Sequence, residues 1–134
     1  MCGRFTLDID KRFYPRFKLN NVIQDIVPRF NISPGQYSPV IFTKDNKTNI
    51  VELMKWGLIP FFSDTEKSSY SLINAKLETI DKKHIFKKSK KCIIPVSGFY
   101  EWKTERDIKQ PYYITTYNNE YIAFAGIYDI WEDK

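Results

Sequence analysis

The chain of 134 residues has one histidine, His84, and two cysteines, Cys2 and Cys92. That is too few for the His/Cys clusters that hold zinc, so no metal site is expected. Two cysteines do not make a disulfide framework, and a reducing, cytosolic compartment is the default. No apolar run approaches the ~18 residues that span a bilayer. The first residues are charged and polar and do not read as a secretory signal. Repeats, linkers and low-complexity segments are also missing. These absences leave a cytoplasmic chain with no membrane partner and no cofactor signature.

What is present is enough for a core. Hydrophobic residues make up 43% and aromatic residues 16%, with ten Phe, nine Tyr and three Trp. Disorder is excluded by that composition, and the length fits one domain over residues 1–134. Lys and Arg outnumber Asp and Glu by 21 to 16, for a net charge of +5 and a pI near 9.1. A modest basic excess suits a polyanionic partner without demanding one.

The local pattern predicts many short strands. Residues 2–7 read as a strand, and 8–17 as a brief helix stopped by Pro15. Residues 28–39, with three prolines and Gly35, read as an ordered loop. Residues 40–43 and Asn49–Lys55 read as strands joined by a polar turn. Trp56 to Pro60 forms an apolar corner, and 64–71 a surface loop. The best helix candidate is 77–89. Residues 92–96 form an apolar run typical of a buried strand, and 99–103 another strand. Residues 112–117 and 121–127 read as a hairpin. Such a series predicts an α+β fold, with a curved, barrel-like mixed β-sheet and a few short helices.

Three constellations bear on chemistry. The first is Cys2, directly behind the initiator methionine. Without Met1 it presents a thiol and a free α-amine on adjacent carbons, and both titrate within about two units of neutrality. An aldehyde can form an imine with the amine, and the sulfur can then close a thiazolidine ring.

The second is Glu101, set between Tyr100 and Trp102 at the end of the apolar run. Held out of water, it would serve as a general acid; strand alternation would equally turn it to solvent. Asn74, elsewhere in the chain, is a second polar candidate, either as an N-cap or as an amide orienting a neighbouring amine or carbonyl. Arg4 and Lys76 are candidate phosphate contacts.

The third is a set of aromatic rings: Trp56, Phe61, Phe62, Tyr100 and Trp102. Such rings stack on unpaired bases at about 1–3 kcal/mol per base, although most aromatics in a chain this size belong to the core. A lysine-rich run from Lys82 to Lys91 surrounds His84. It suits phosphate or a plain solvated face, with His84 at the surface.

Together these segments resemble the SOS response-associated peptidase (SRAP) family, the abasic-site-processing proteins. The resemblance runs in order through Met1-Cys2-Gly3-Arg4-Phe5, Asn31-Ile32-Ser33-Pro34-Gly35-Gln36, Trp56-Gly57-Leu58-Ile59-Pro60, Asn74-Ala75-Lys76-Leu77-Glu78-Thr79, and the stretch from Cys92 to Lys103. Phe124-Ala125-Gly126-Ile127-Tyr128 with Trp131 fits the following strand.

The resemblance implies a barrel-like domain that grips single-stranded DNA bearing abasic sites. It implies removal of Met1 and a thiazolidine crosslink between Cys2 and the lesion aldehyde. Asn74 matches the residue that positions the Cys2 amine. Glu101 matches the acid that assists Met1 removal and proton transfer. Arg4 and Lys76 match phosphate contacts, with lysine where the family has arginine. Trp56 and Pro60 match the wall beside the lesion, and Trp102 adds a face for DNA.

Family members run on past this length to a His-x-Arg-Met-Pro motif that these residues do not contain. The expectation is therefore a domain truncated at its C-terminus, monomeric if complete, and placed in the cytoplasm at the nucleoid. A non-catalytic single-stranded-DNA-binding relative and a peptidase acting on other proteins remain the competing expectations.

Overall fold

A computed structural model describes residues 2–66 and 72–132. Its strands form two four-stranded sheets, ordered β2-β1-β6-β7 and β4-β3-β5-β8. The first sheet takes β1 (Phe5–Leu7), β2 (Arg29–Ile32), β6 (Gly98–Glu105) and β7 (Ile108–Thr115). The second takes β3 (Tyr37–Thr43), β4 (Asn49–Lys55), β5 (Lys90–Val96) and β8 (Ile122–Tyr128).

Every pairing between these strands is antiparallel. The expected mixed sheet is thus corrected to two antiparallel ones; the parallel element among the described residues is a lone bridge, Leu19 to Asn49. Neither sheet closes on itself, so the expected barrel-like curvature takes the form of two open sheets with β2, β7, β4 and β8 as edges.

The core lies where the sheets meet. Phe5 and Leu7 alternate inward from β1 and join Ile32, Ile41, Val51 and Val96 in one buried cluster. Helix α1 (Phe13–Phe17) adds Phe13 and Phe17, one helical turn apart on one face. Their rings lie 5.6 Å apart. Pro15 does not stop this helix. It sits in the first turn, where its missing N–H has no intrahelical acceptor to lose. The helix ends instead at Lys18, which turns left-handed (φ 49°) and donates its N–H to the Pro15 carbonyl.

Three other expectations change. The helix over 77–89 is absent; two single 3-10 turns, Ile80–Lys82 and His84–Phe86, stand in its place. Lys83 is extended between them. A continuous helix over 77–89 would have stacked Lys83 on Lys87, and like charges at that spacing are unfavourable.

The hairpin over 112–127 is absent too. Its halves belong to different sheets, β7 pairing with β6 and β8 with β5. Residues 116–120 carry the chain from one sheet to the other, and buried Tyr121 anchors the crossing in the core. The real hairpin is β6–β7, in full register from Gly98↔Thr115 to Glu105↔Ile108. Its turn residues Arg106 and Asp107 have φ of 46° and 68°, the geometry that normally asks for Asn-Gly. The 28–39 loop holds β2 and the start of β3. The surface loop expected over 64–71 falls partly outside the described residues.

Candidate functional site

Cys2 sits just ahead of β1, whose pairing fixes its neighbours. The β1–β6 register sets Phe5 opposite Phe99 and Thr6 opposite Gly98. The ladder runs on toward the N-terminus, because the Tyr100 N–H donates to the Arg4 carbonyl at 2.9 Å. Antiparallel pairing therefore brings the residues before Arg4 alongside Glu101 and Trp102. Of these two, Glu101 faces the same way as Phe99, whose ring packs on Phe124 at 5.3 Å. Glu101 is half-buried, and Trp102 points to the opposite side.

Cys2 itself is half-buried and packs against the core cluster. Burial pushes its thiol above the ordinary thiol value; a backbone hydrogen bond at Arg4 acts the other way, and the negative charge of Glu101 adds to the rise. The thiol hydrogen is directed to the Arg4 carbonyl at 3.5 Å. Glu101 thus reaches Cys2 electrostatically, which sequence spacing alone does not show.

Asn74 arrives from a different part of the chain. Its side-chain amide donates to the Cys2 carbonyl oxygen at 3.0 Å. The N-cap expectation for Asn74 fails because no helix follows it. The expected partner was the Cys2 amine, and the observed one is the carbonyl of the same residue.

Trp56 explains how the two segments meet. Its ring lies 5.2 Å from that of Phe5, and its indole N–H donates to the Ile73 carbonyl at 2.8 Å. Leu58 N–H adds a bond to the Leu72 carbonyl at 3.1 Å. The half-buried Trp56 therefore braces the stretch before Asn74 against β1. Pro60 is fully buried, a correction to its place among the DNA contacts: it fills the corner from inside and offers no accessible wall.

Arg4 is exposed, and its guanidinium donates to the Asn31 side-chain oxygen at 2.9 Å. Asn31 is the partner that sequence reasoning missed. Next to it, the Tyr100 hydroxyl donates to the Phe30 carbonyl at 3.2 Å. Tyr100 thus holds the backbone of Arg4 and that of the strand carrying Asn31. The Asn31 motif was visible in the sequence, but a contact 27 residues apart leaves no local signal.

Lys76 is exposed two residues beyond Asn74. Exposed His84 stacks on Phe62 at 6.1 Å and meets Phe61 edge-on at 5.3 Å. No cluster of three potential metal ligands occurs among the described residues. No helix among them is long and apolar enough to cross a membrane.

Cys2 and Glu101 are half-buried, and Asn74, Lys76 and Arg4 beside them are exposed. A cleft of about 150 Å³ lies between β2, β3 and β4, and a shallower hollow lies under the β6–β7 tip. Neither is lined by Cys2, Asn74 or Glu101.

Comparison with known proteins shows the family and the fold. The family described as SOS response associated peptidase (SRAP) matches residues 1–134. The chain is 38% identical to the abasic site processing protein YoaM of Bacillus subtilis over 146 aligned positions, covering 98% of this chain and 60% of YoaM. It is 31% identical to the abasic site processing protein HMCES of Xenopus tropicalis, covering 78% of this chain and 41% of HMCES. A crystal structure of a Bacteroides thetaiotaomicron protein superposes with a TM-score of 0.83 at 26% identity, over 98% of this chain and 62% of that one. The chain thus spans about three fifths of the length of the Bacillus relative.

Proposed function

The chain belongs to the SOS response associated peptidase family, and from that premise we propose that it processes abasic sites in single-stranded DNA, crosslinking to them through Cys2 once Met1 is gone. The observation that carries this reading is the meeting of Asn74 and Glu101 at Cys2, one by a hydrogen bond and the other by its charge. The matched relatives are named for abasic site processing.

The chemistry needs only groups of the chain. The α-amine of Cys2 adds to the ring-opened sugar aldehyde and gives a carbinolamine. Loss of its hydroxyl as water requires a proton donor and leaves an imine. The Cys2 sulfur, tethered to the same residue, then attacks the imine carbon with the advantage of an intramolecular step. The thiol proton leaves and the ring nitrogen gains one. The balance is one thiazolidine formed and one water released.

Each neighbour has a task in this sequence. Burial and the Glu101 charge keep the thiol protonated at rest, so ring closure needs a base at that moment. In this reading Glu101 takes the proton and returns it to nitrogen. It also serves the removal of Met1. Asn74 holds the Cys2 carbonyl and so fixes the direction of the amine and sulfur. Arg4 and Lys76 engage phosphates, and exposed Trp102 offers a ring to the strand.

The test is a crosslink that survives denaturation. Single-stranded DNA with one abasic site should give a denaturant-stable complex with the mature protein, and lesion-free DNA should not. Salt-sensitive binding that ignores the lesion would instead mark a non-catalytic DNA-binding relative.

A further inference from the structure

The groups gathered at Cys2 ask a partner for an aldehyde and for an anion at some distance from it. Asn74 donates to the Cys2 carbonyl at 3.0 Å, so the backbone that carries the amine and the thiol is held. Arg4 lies two residues after Cys2 and Lys76 two residues after Asn74, and both are exposed. The Arg4 guanidinium spends one nitrogen on the Asn31 side-chain oxygen at 2.9 Å. That bond steadies it and leaves further N–H donors for a ligand. None of this chemistry requires a base or a second nucleotide.

Charge sets where the anion belongs. The negative charge of Glu101 reaches Cys2, so a carboxylate attached directly to the aldehyde carbon would be repelled. The cations stand further out. Cα atoms two residues apart are at most about 7 Å from each other. A phosphate two or three carbons from the aldehyde therefore clears Glu101 and comes within range of Arg4. Chain length matters for a second reason. An aldose of five or more carbons folds its aldehyde into a ring. In a three- or four-carbon aldose phosphate the ring-closing hydroxyl is missing or carries the phosphate, and the aldehyde stays open to an amine.

We propose that Cys2, Arg4 and Lys76 also form a capture site for free short-chain aldose phosphates, which cap Cys2 as a thiazolidine and so compete with DNA. This rests on the Cys2 chemistry proposed above, because it uses the same amine and thiol once Met1 is gone. The α-amine adds to the aldehyde carbon, and the carbinolamine loses its hydroxyl as water. The sulfur then bonds to the imine carbon; the thiol proton leaves and the ring nitrogen gains one. One C–N and one C–S bond form, the aldehyde oxygen departs as water, and nothing is oxidised or reduced. The phosphate is retained beside Arg4 and Lys76. A capped Cys2 has neither a thiol nor a primary amine, so an abasic site finds no nucleophile there.

The experiment uses protein with Met1 removed, with glyceraldehyde 3-phosphate as the probe and glyceraldehyde as its phosphate-free counterpart. Adduct is read by mass on the peptide beginning at Cys2, as peptide plus aldehyde less one water, after dilution has reversed the imines of surface lysines. Each rate is divided by that of free cysteine with the same aldehyde. The phosphate ester should then react about three- to tenfold faster than glyceraldehyde, the effect of two exposed ion pairs. Substituting Arg4→Ala and Lys76→Ala together should bring that ratio to about one. Wild-type protein treated first with glyceraldehyde 3-phosphate should also crosslink abasic single-stranded DNA more slowly than protein treated first with glyceraldehyde. A ratio near one in the wild type, or a ratio that survives the double substitution, overturns the proposal. Crosslinking of untreated protein to abasic DNA is read in parallel. If it proceeds while the ratio stays near one, the capture site falls and the DNA reading stands. If it fails while the phosphate-dependent adduct forms, the DNA reading falls and the capture site stands.

Discussion

Asn74 donates its side-chain amide to the carbonyl oxygen of Cys2 at 3.0 Å, across 72 residues of sequence. This bond makes an otherwise free chain end a fixed part of the fold. A nucleophile beside a terminus gains most from such an anchor, because a frayed end spreads its reactive atoms over many positions. The anchor is itself supported, since Trp56 holds the neighbouring Ile73 carbonyl and packs on Phe5.

Loss of the anchor should slow the chemistry. A hydrogen bond of this kind is worth about 0.5–1.5 kcal/mol, so Asn74→Ala should reduce the single-turnover crosslinking rate about 2- to 10-fold. Asn74→Asp, which when ionised accepts but cannot donate, should do no better. Thermal stability should change little, because Asn74 is exposed. Rates equal to wild type in both variants would show that the bond positions nothing.

Glu101 should have opposite effects on two reactions of Cys2. Its negative charge helps to hold the thiol above the ordinary value, after the larger effect of burial. Removing that charge lets the thiol ionise at lower pH. The rate of Cys2 alkylation by iodoacetamide follows the thiolate fraction, so its pH profile should move to lower pH in Glu101→Gln. Crosslinking by the same variant should slow, because the proton carrier is gone. A profile that stays in place or moves upward would break the link between the two residues.

Arg4 should reveal itself through salt. Removing one phosphate contact lowers the slope of log affinity against log salt by about one. Arg4→Ala should show this change with single-stranded DNA of any sequence. Asn31→Ala should weaken binding without changing the slope, because the guanidinium remains but its direction is lost. An unaltered slope in Arg4→Ala would place Arg4 off the DNA path.

The β6–β7 turn is a place where stability can be gained. Arg106 and Asp107 both hold positive φ, which L-residues adopt at a cost and glycine does not. Asp107→Gly should raise unfolding free energy by about 0.5–1 kcal/mol in urea titration. A loss of stability would mean that the Asp107 side chain makes a compensating contact.

The fold was legible where the chain's own pattern decided it. Asn49–Lys55 matches β4 to the residue, and the apolar run at Cys92 to Val96 falls inside β5. Pattern failed where partners were distant. The segment around Tyr112 looked like half of a hairpin with the strand after Tyr121, yet each half found its partner in a different sheet. The lysine-rich stretch after Leu77 looked helical by spacing, and its own charges opposed that. Buried Pro60 was indistinguishable from an exposed corner.

The site was legible through its motifs rather than through local chemistry. Cys2 and Glu101 stand out in sequence, but their approach depends on the β1–β6 register. The Asn74 segment ends without the expected helix, so its bond to Cys2 had no local signal. Asn31 was missed because it acts across the sheet, on Arg4.

The most direct measurement is the mass of the N-terminal peptide after reaction. Protein with Met1 removed is incubated with single-stranded DNA bearing one abasic site, then digested and mapped by mass spectrometry. The account predicts an adduct on the peptide beginning at Cys2, equal to peptide plus sugar fragment less one water, and its loss in Cys2→Ala. An unmodified Cys2 peptide in the wild type, or an equally stable adduct on another residue, would contradict it.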